Sequence, residues 1–326
     1  MSEYFYIGED LGMGANKLWS GMNGLQVVSQ VSSDGGGHLE GMTGLRVSKR
    51  PMLVSSDFGS FYVGDKAHEH GRPVENLDFD RLTGAPEMRA LVHGSFAQFQ
   101  KTWGKFDKPL SLMVGLPLQM MMGADAKQYQ DGARKWLKGS HQFSVDGEAM
   151  TIEIAQVRLT SQPVGALFDY VLDNEGKIIG ERAEAMLDEV GVISAGFNTV
   201  ELLVVKDQGA VERFTEGSTV GVRRLLELLN RDNLYSLGEL DGLLRTGRLN
   251  SRLKEVLPIW AREVNGLIEK RWGLSHKRFV KVLIVGGGAL LLKDALTMQF
   301  GGKAWVPSEP VMSIARGLWK LSVMKK

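Results

Sequence analysis

Residues Tyr4 to Lys17, YFYIGEDLGMGANK, constrain this chain more than any other stretch. Aromatic and branched residues in a short, proline-free run predict a β-strand. The run ends in Gly12-Met13-Gly14, and glycine lets the backbone turn sharply and approach another group closely. Asp10 falls at the strand's end, where a carboxylate can hold a hydrated cation. Lys17 falls just past the turn, where an ammonium can reach an anion. Strand, acid, glycine turn and lysine in this order point to a phosphate-and-metal cradle. The same residues also make a plain β-hairpin with a glycine turn, so support has to come from elsewhere in the chain.

It comes from repetition. Val190 to Val205, VGVISAGFNTVELLVV, has the same plan: apolar strand, polar residue, Gly196, hydroxyl Thr199, apolar strand. Two such units this far apart predict a duplicated core with two facing halves. Lys281 to Leu292, KVLIVGGGALLL, is a buried strand running through three glycines into an apolar helix. That arrangement can bind an anion or let a flat ring approach the backbone. Gly286-Gly287-Gly288 lacks the GxGxxG spacing of a dinucleotide fold and lies late in the chain, which argues against that alternative.

Between these elements the pattern alternates strands and helices. Asn23-Gly24 is expected to turn a hairpin within Leu18 to Val28, and Ser32 to Gly37 to form a loop. Antiparallel strands over residues 45–64 predict a small β-rich subdomain, with a helix starting at Ala67. Helices are expected over Pro86–Phe99, Ala124–Leu137, Val164–Leu172, Gly221–Leu229, Leu237–Leu244, Leu253–Trp272 and Val311–Leu321. Strands are expected over Pro109–Pro117, Gln142–Val145, Met150–Val157 and Trp305–Pro307, with Asp146-Gly147 as a turn. The Ser161-Gln162-Pro163 step presents Gln162 near a helix N-terminus, since proline suits the first helical turn.

The chain has 326 residues, enough for two domains or one large split one. A net charge of +1 gives no broad basic surface and disfavours direct nucleic-acid binding. There is no cysteine, which removes disulfides and thiolate metal sites and fits a reducing cytoplasm. No apolar run reaches transmembrane length and no secretory pattern opens the chain. His68 and His70 flank Glu69, but a spacing of two puts them on different helix faces, so solvated surface is expected rather than a metal site. Met120 to Met122 is expected to be adaptable apolar packing.

The three glycine elements, in this order and spacing, resemble the actin superfamily of ATPases, which includes actin, the 70-kDa heat-shock ATPases, sugar kinases and the bacterial MreB, FtsA and ParM proteins. IGEDLGMGANK at Ile7–Lys17 is similar to the family's first phosphate loop, ISAGFNTVE at Ile193–Glu201 to its second, and IVGGGALL at Ile284–Leu291 to its adenosine loop. FYVGDKA at Phe61–Ala67, VGLP at Val114–Pro117 and SQPVGALFDYV at Ser161–Val171 resemble ParM and the archaeal actin homologues. The resemblance covers nearly the whole chain. It implies an α/β fold of two actin-like (RNase H-like) domains, each a mixed five-stranded sheet flanked by helices, with a nucleotide cleft between them. The expected division is residues 1–163 plus 304–326, with a small subdomain at about 33–100, and residues 164–303.

By the same resemblance, ATP or ADP with Mg²⁺ is the expected cofactor. Asp10 looks like the acid that binds Mg²⁺ through water, and Gln162 like the residue that orients the attacking water. Gly12, Met13, Gly14, Asn16 and Lys17 would surround the phosphates from one side, with Lys17 neutralising charge. Gly196, Phe197, Asn198 and Thr199 would do so from the other. Gly286, Gly287, Gly288 and Ala289 would let the adenosine lie against backbone. In such chemistry the protein mostly positions groups and stabilises charge.

Two departures stand out. The second loop of the family begins with Asp, and here that catalytic position is Ser194. Losing that carboxylate implies slow hydrolysis, or hydrolysis that needs assembly, with binding retained. Glu9 stands where the family carries an apolar residue; strand alternation points it away from Asp10, as a paired buried carboxylate. The resemblance implies a polymerising, cytoplasmic cytoskeletal ATPase, self-associating into filaments, with no membrane partner and with plasmid or DNA segregation through a separate DNA-binding adaptor. A non-polymerising nucleotide switch and a small-molecule kinase are the alternatives on the same scaffold, and the kinase reading lacks a convincing catalytic Asp. GTP stays open as the nucleotide.

Overall fold

The computed structural model describes residues 3–34, 50–184 and 187–324. The opening hairpin forms as expected: β1 (Phe5–Leu11) and β2 (Ala15–Ser20) run antiparallel, with Asp10 opposite Lys17. Next comes β3 (Asn23–Val28). The turn before it lies at Gly21-Met22 rather than at the expected Asn23-Gly24. Gly21 supplies the left-handed backbone, φ 59°, that the turn requires. Gly24 is instead needed inside the strand, where an added Cβ would stand 2.6 Å from the Trp19 ring.

A small hairpin group follows: β4 (Val31–Ser33), β5 (Met52–Ser56), β6 (Gly59–Val63) and β7 (Arg72–Pro73). Ser32 and Ser33, expected in a loop, pair with β6. The rest of that loop from Gly35, and the expected strand from Leu45 to Lys49, lie outside the described residues. The helix expected at Ala67 is a single 3-10 turn, Ala67–Glu69. After it come α1 (Pro86–Trp103), β8 (Leu110–Leu116), α2 (Leu118–Met121), α3 (Ala126–Leu137), β9 (Gly139–Val145), β10 (Glu148–Ser161), α4 (Gln162–Val171) and α5 (Gly180–Glu184). Asp146 and Gly147 both take positive φ and turn β9 into β10 as expected. The second half contains β11 (Val190–Ala195), β12 (Val200–Lys206), β13 (Gly209–Ala210), β14 (Glu216–Ser218), α6 (Val222–Leu229), α7 (Leu237–Arg245) and α8 (Asn250–Trp272). It closes with β15 (Lys281–Val285), α9 (Ala289–Phe300), β16 (Ala304–Trp305) and α10 (Ser313–Val323).

These strands form two mixed sheets flanked by helices. The first has the order β3-β2-β1-β8-β10, continued by β9-β5-β6-β4-β7. The second has the order β13-β12-β11-β15-β16, with β14 beside β12. In each, three strands run as an antiparallel meander and two more add in parallel. The five-stranded plan is therefore repeated, and the hairpin group lengthens the first sheet to ten strands. β1, β8, β11 and β15 are inner strands of these plans and are largely buried on both faces; they are mainly apolar, with buried polar exceptions such as Glu9 and Asp10 in β1 and Ser194 in β11.

Two helices sit between the sheets. α10 packs on β1 and β8, α4 packs on β11, β12 and β15, and the two pack on each other. Glycine makes the approach close: a Cβ on Gly317 would stand 1.8 Å from the Gly165 carbonyl oxygen. The contact is pinned by charge. Asp169 on α4 accepts from Ser313 Oγ at 2.7 Å and from Arg316 Nε at 2.8 Å, and Lys320 Nζ lies 3.0 Å from its carboxylate. Burial works against the Asp169 charge, but Arg316, Lys320 and Ser313 together hold its carboxyl below the usual range. A paired, hydrogen-bonded charge of this kind fixes geometry, and losing one partner is costly. Among the described residues no helix is long and apolar enough to cross a membrane.

Candidate functional site

The two hairpin turns face each other. A Cβ on Gly14, in the turn after β1, would stand 2.4 Å from the Phe197 Cβ in the turn after β11. Beside this contact lies a cavity of about 340 Å³, walled by residues of both sheets. Asp10, Gly12, Met13, Gly14 and Lys17 line it from the first hairpin, and Ser194, Gly196, Phe197, Asn198 and Thr199 from the second. Gln162 enters from the start of α4, and Gly286 and Gly287 from the turn after β15. Thirteen of the sixteen residues expected at the site thus share one cavity wall.

The other three do not line it. Asn16 points to the opposite face of β2, where its Nδ2 donates to Glu9 Oε1 at 3.0 Å. Gly288 and Ala289 open α9 behind the turn: the Gly288 N–H donates to the Ala195 carbonyl at 2.8 Å, and a Cβ there would strike the Ala195 side chain. Gly287, by contrast, has nothing within 4 Å of an added Cβ and opens onto the cavity.

Register places the polar groups. Asp10 and Lys17 are cross-strand partners on one face, and Lys17 Nζ lies 2.8 Å from Asp10 Oδ2. Gln162 Nε2 donates to Asp10 Oδ1 at 2.7 Å. The carboxylate is nearly fully buried and held from both sides. With its amide nitrogen engaged, Gln162 offers its amide oxygen as an acceptor. In the turn, the Gly12 N–H is already committed to the Asp10 carbonyl at 2.9 Å, whereas the Met13 and Gly14 N–H groups make no backbone hydrogen bond among the described residues. The donors available to an anion at this turn are therefore those of Met13 and Gly14 rather than of Gly12.

The second hairpin repeats the register with different chemistry. Ser194 is the cross-strand partner of Glu201, as Asp10 is of Lys17. Glu201 is fully buried, and its Oε1 accepts from the Leu118 N–H of the first half at 2.8 Å. Burial, with Asp10 adding to it, pushes the Glu201 carboxyl up to about 8. Sequence reading gave Glu201 no role, although it closes the ISAGFNTVE segment. Counting seven residues on from Ser194, as from Asp10 to Lys17, would have found it. Glu9 is the buried carboxylate expected: burial first, and then Asp10, lift it to about 7 against the lowering effect of Asn16.

The far wall is built by α7 and α8. Asp241, Leu244, Arg245, Asn250 and Leu253 face the cavity, with Gln26 from β3 on the near side. Arg245 Nε donates to Asp241 Oδ2 at 2.7 Å. An Asp–Arg pair four apart on a helix reads in sequence as an ordinary surface pair, and nothing local shows that it meets the glycine turns. His68 is a correction to the surface reading. Its side chain is almost fully buried, and Nδ1 lies 3.1 Å from Ser236 Oγ across the cleft. Among the described residues no three His, Cys, Asp or Glu side chains cluster as a metal site. Met120 is buried and Met122 is exposed.

Comparison with known proteins agrees with this geometry. Residues 8–165 match the family described as actin-like proteins, N-terminal domain. No curated protein matches the chain by sequence. Among solved structures, the psk41 ParM protein in its apo form superposes with a TM-score of 0.72 at 16% identity, covering 99% of this chain and 100% of that one. An archaeal actin homologue in complex with ADP gives 0.73 at 16% identity, over 98% and 100%. A 15-stranded ParM filament from Clostridium botulinum gives 0.74 at 17% identity, over 98% and 99%. At such identities the structures speak for the fold. Residues 8–165 thus match the actin-like N-terminal domain, and the repeated five-stranded sheets with their facing glycine hairpins give nearly the whole chain the fold of ParM proteins and archaeal actin homologues.

Proposed function

We propose that this chain is an ATPase that binds ATP with Mg²⁺ between its two halves and assembles into filaments in a nucleotide-dependent way. The observation that carries the reading is the single cavity into which two glycine hairpins, Asp10, Lys17 and Gln162 all converge. Met13 and Gly14 offer backbone N–H groups to phosphate oxygens, and Lys17 an ammonium. Gln162 holds a water by its amide oxygen while its nitrogen stays on Asp10. Gly287 gives the base an open backbone face, and Leu290, Leu253 and Leu244 supply apolar contact.

Mg²⁺ binding asks for one or two carboxylates beside substrate phosphates and waters rather than a protein cage. Asp10 on the cavity wall fits that demand, with the ion held through water, and the absence of a larger ligand cluster among the described residues does not count against it. When bound, the ion would neutralise phosphate charge at the reacting end. Ser194 offers a hydroxyl where a second carboxylate would strengthen water activation, so slow turnover is expected.

The filament part of the reading rests on similarity to proteins solved as filaments, ParM from Clostridium botulinum and Alp12. It also fits exposed apolar side chains such as Leu234, Leu274 and Met298, which self-association would cover. Segregation of DNA through an adaptor, in the cytoplasm, is the cellular role that accords with a near-neutral chain. Ser194 also favours one second reading, a nucleotide switch that binds and changes shape without assembling.

Right-angle light scattering with pelleting, with Mg²⁺ and ATP, GTP, ADP or no nucleotide, tests this directly, with phosphate release followed in the same sample. Nucleotide-dependent, pelletable assembly is expected, with phosphate release lagging behind. Tight nucleotide binding with no assembly across protein and salt concentrations would refute the filament reading and leave the switch.

A further inference from the structure

A second cavity, of about 800 Å³, lies in the first half and shares no residue with the cleft cavity. It is bounded by the turn between β5 and β6, the start of α1, the end of α3 and β9. Its wall is basic: Arg89, Lys135 and Lys138 line it, against a single acid, Asp57, among the described residues. On α3 the ion pairs run from Asp131 to Lys127 and Arg134, and neither Lys135 nor Lys138 has a carboxylate partner among the described residues. Arg89 is firmly held. Its guanidinium carbon lies 4.2 Å from the centre of the Phe58 ring and 5.6 Å from that of Trp136, and its Nε donates to the Gly84 carbonyl at 2.7 Å. A guanidinium fixed in this way has both Nη groups left to meet an oxyanion side by side.

His93 adds a group of a different kind. It is buried, and its ring stacks on Phe143 with centres 4.3 Å apart. His141 Nε2 lies 2.9 Å from the Leu137 carbonyl, which can only accept, so that nitrogen carries the hydrogen. With the ring neutral, His141 Nδ1 is bare and accepts from His93 Nε2 at 3.1 Å. The nitrogen left over, His93 Nδ1, is then a bare acceptor with no partner among the described residues. Both rings line the cavity. Burial, then His141 and Arg89, push His93 down to about 3, so the ring stays neutral and cannot answer an anion with a charge of its own. An acceptor left unpaired in this way is costly, and a donor brought by a ligand would satisfy it.

We propose that this cavity binds a phosphate monoester or free phosphate, with Arg89 and Lys135 taking its charge and His93 Nδ1 accepting the hydrogen of its protonated oxygen. A buried acceptor beside three cations selects an anion that still carries a proton. A phosphate takes up its second proton near pH 6, whereas sulfate and most carboxylates are bare there. The cavity is far larger than a phosphate group, and Thr83, Ser140 and Gln142 continue its wall with hydroxyl and amide groups. Such a wall suits a hydrophilic organic part, as in a sugar phosphate.

Isothermal titration calorimetry of the whole protein near pH 6, at fixed ionic strength, tests this with inorganic phosphate, glucose 6-phosphate and sulfate in turn. Both phosphates should bind about tenfold tighter than sulfate, and Lys135→Gln, at an exposed position, should weaken them about tenfold, the scale of one charge-assisted hydrogen bond. His93→Phe keeps a ring to stack on Phe143 and removes the acceptor, so phosphate should fall to the level of sulfate while sulfate is unchanged. Damage to the fold would weaken both anions together. Should that variant not fold, phosphate against sulfate in the parent and in Lys135→Gln still decides. Tighter binding of glucose 6-phosphate than of inorganic phosphate would identify a monoester as the ligand, and the reverse order free phosphate. Sulfate bound as tightly as phosphate, or neither phosphate bound at millimolar concentration, would overturn the proposal. So would phosphate binding that Lys135→Gln leaves unchanged, since the anion would then sit elsewhere, as in the cleft.

Discussion

Replacing Glu201 by Gln should make the protein without nucleotide more stable, and the gain should grow with pH. The carboxyl is fully buried and its one backbone partner, the Leu118 N–H, needs only an acceptor oxygen. Glutamine keeps that oxygen and the shape, and removes a group whose ionisation burial opposes. In the folded protein Glu201 titrates near 8 against an ordinary value of 4.5. Each unit of difference corresponds to roughly 1.4 kcal/mol, so the full span amounts to on the order of 5 kcal/mol. Relaxation and water entry will reduce what is realised.

The sign follows from proton binding. Folded Glu201 keeps a proton that the unfolded chain releases above pH 4.5. Its burden on stability is therefore absent below 4.5, grows as pH rises toward 8, and levels off beyond. Glu201→Gln should match the parent near pH 4.5 and exceed it by a few kcal/mol at pH 8. Urea unfolding at pH 5 and pH 8 measures both values. A variant that is less stable at pH 8, or whose difference from the parent is the same at both pH values, would refute the argument.

Three further outcomes are expected. Ser194→Asp should raise phosphate release in a steady-state assay; no rise, or a loss, would count against the account of the second hairpin. Gly317→Ala should cost roughly 3 kcal/mol or more in a thermal melt, because its Cβ would enter the Gly165 carbonyl and rigid backbone cannot yield. Asp169→Asn should cost roughly 3–5 kcal/mol by leaving Lys320 buried without a counter-charge and Arg316 with only the exposed Glu309. Since the folded Asp169 carboxyl lies below its ordinary value, its contribution in the parent should be full above about pH 4 and fade as pH falls through the folded value.

What the sequence made legible was local and repeated. The strand–glycine–strand period exposed both hairpins, and strand alternation separated Glu9 from Asp10 before any coordinates. What it hid was long-range. Whether Gly21 or Gly24 turns the second hairpin depends on Trp19 needing a bare backbone to lie on. His68 reads as surface because two-residue spacing says nothing of α7, which arrives from the other half of the chain to cover it. Asp241, Arg245, Asn250 and Leu253 carry helix periodicity alone, and only the fold turns that face toward the glycine turns. Gly288 and Ala289 belong to the same glycine run as Gly287, yet the helix start turns them away from the cavity.

The duplication clarifies why an acid stands at 201 when none stands at 194. The two hairpins share one register, so position 10 corresponds to 194 and position 17 to 201. The first hairpin carries acid then base, and the second carries hydroxyl then acid. Together they carry two carboxyl groups and one ammonium: Asp10 and Lys17 line the cavity and engage each other, while Glu201 is buried. A carboxylate at 194 would stand directly opposite Glu201, which keeps its proton until the pH nears 8, so like-charge repulsion across the pair sets in as the pH rises. The gain expected from Ser194→Asp is thus opposed by its own neighbour in alkaline solution. Ser194→Asp combined with Glu201→Gln removes that opposition, and phosphate release by the double variant should exceed that of Ser194→Asp alone. If the double variant is slower than the single, Glu201 itself takes part in activating the water, and the acid of the second hairpin has changed strands rather than been lost.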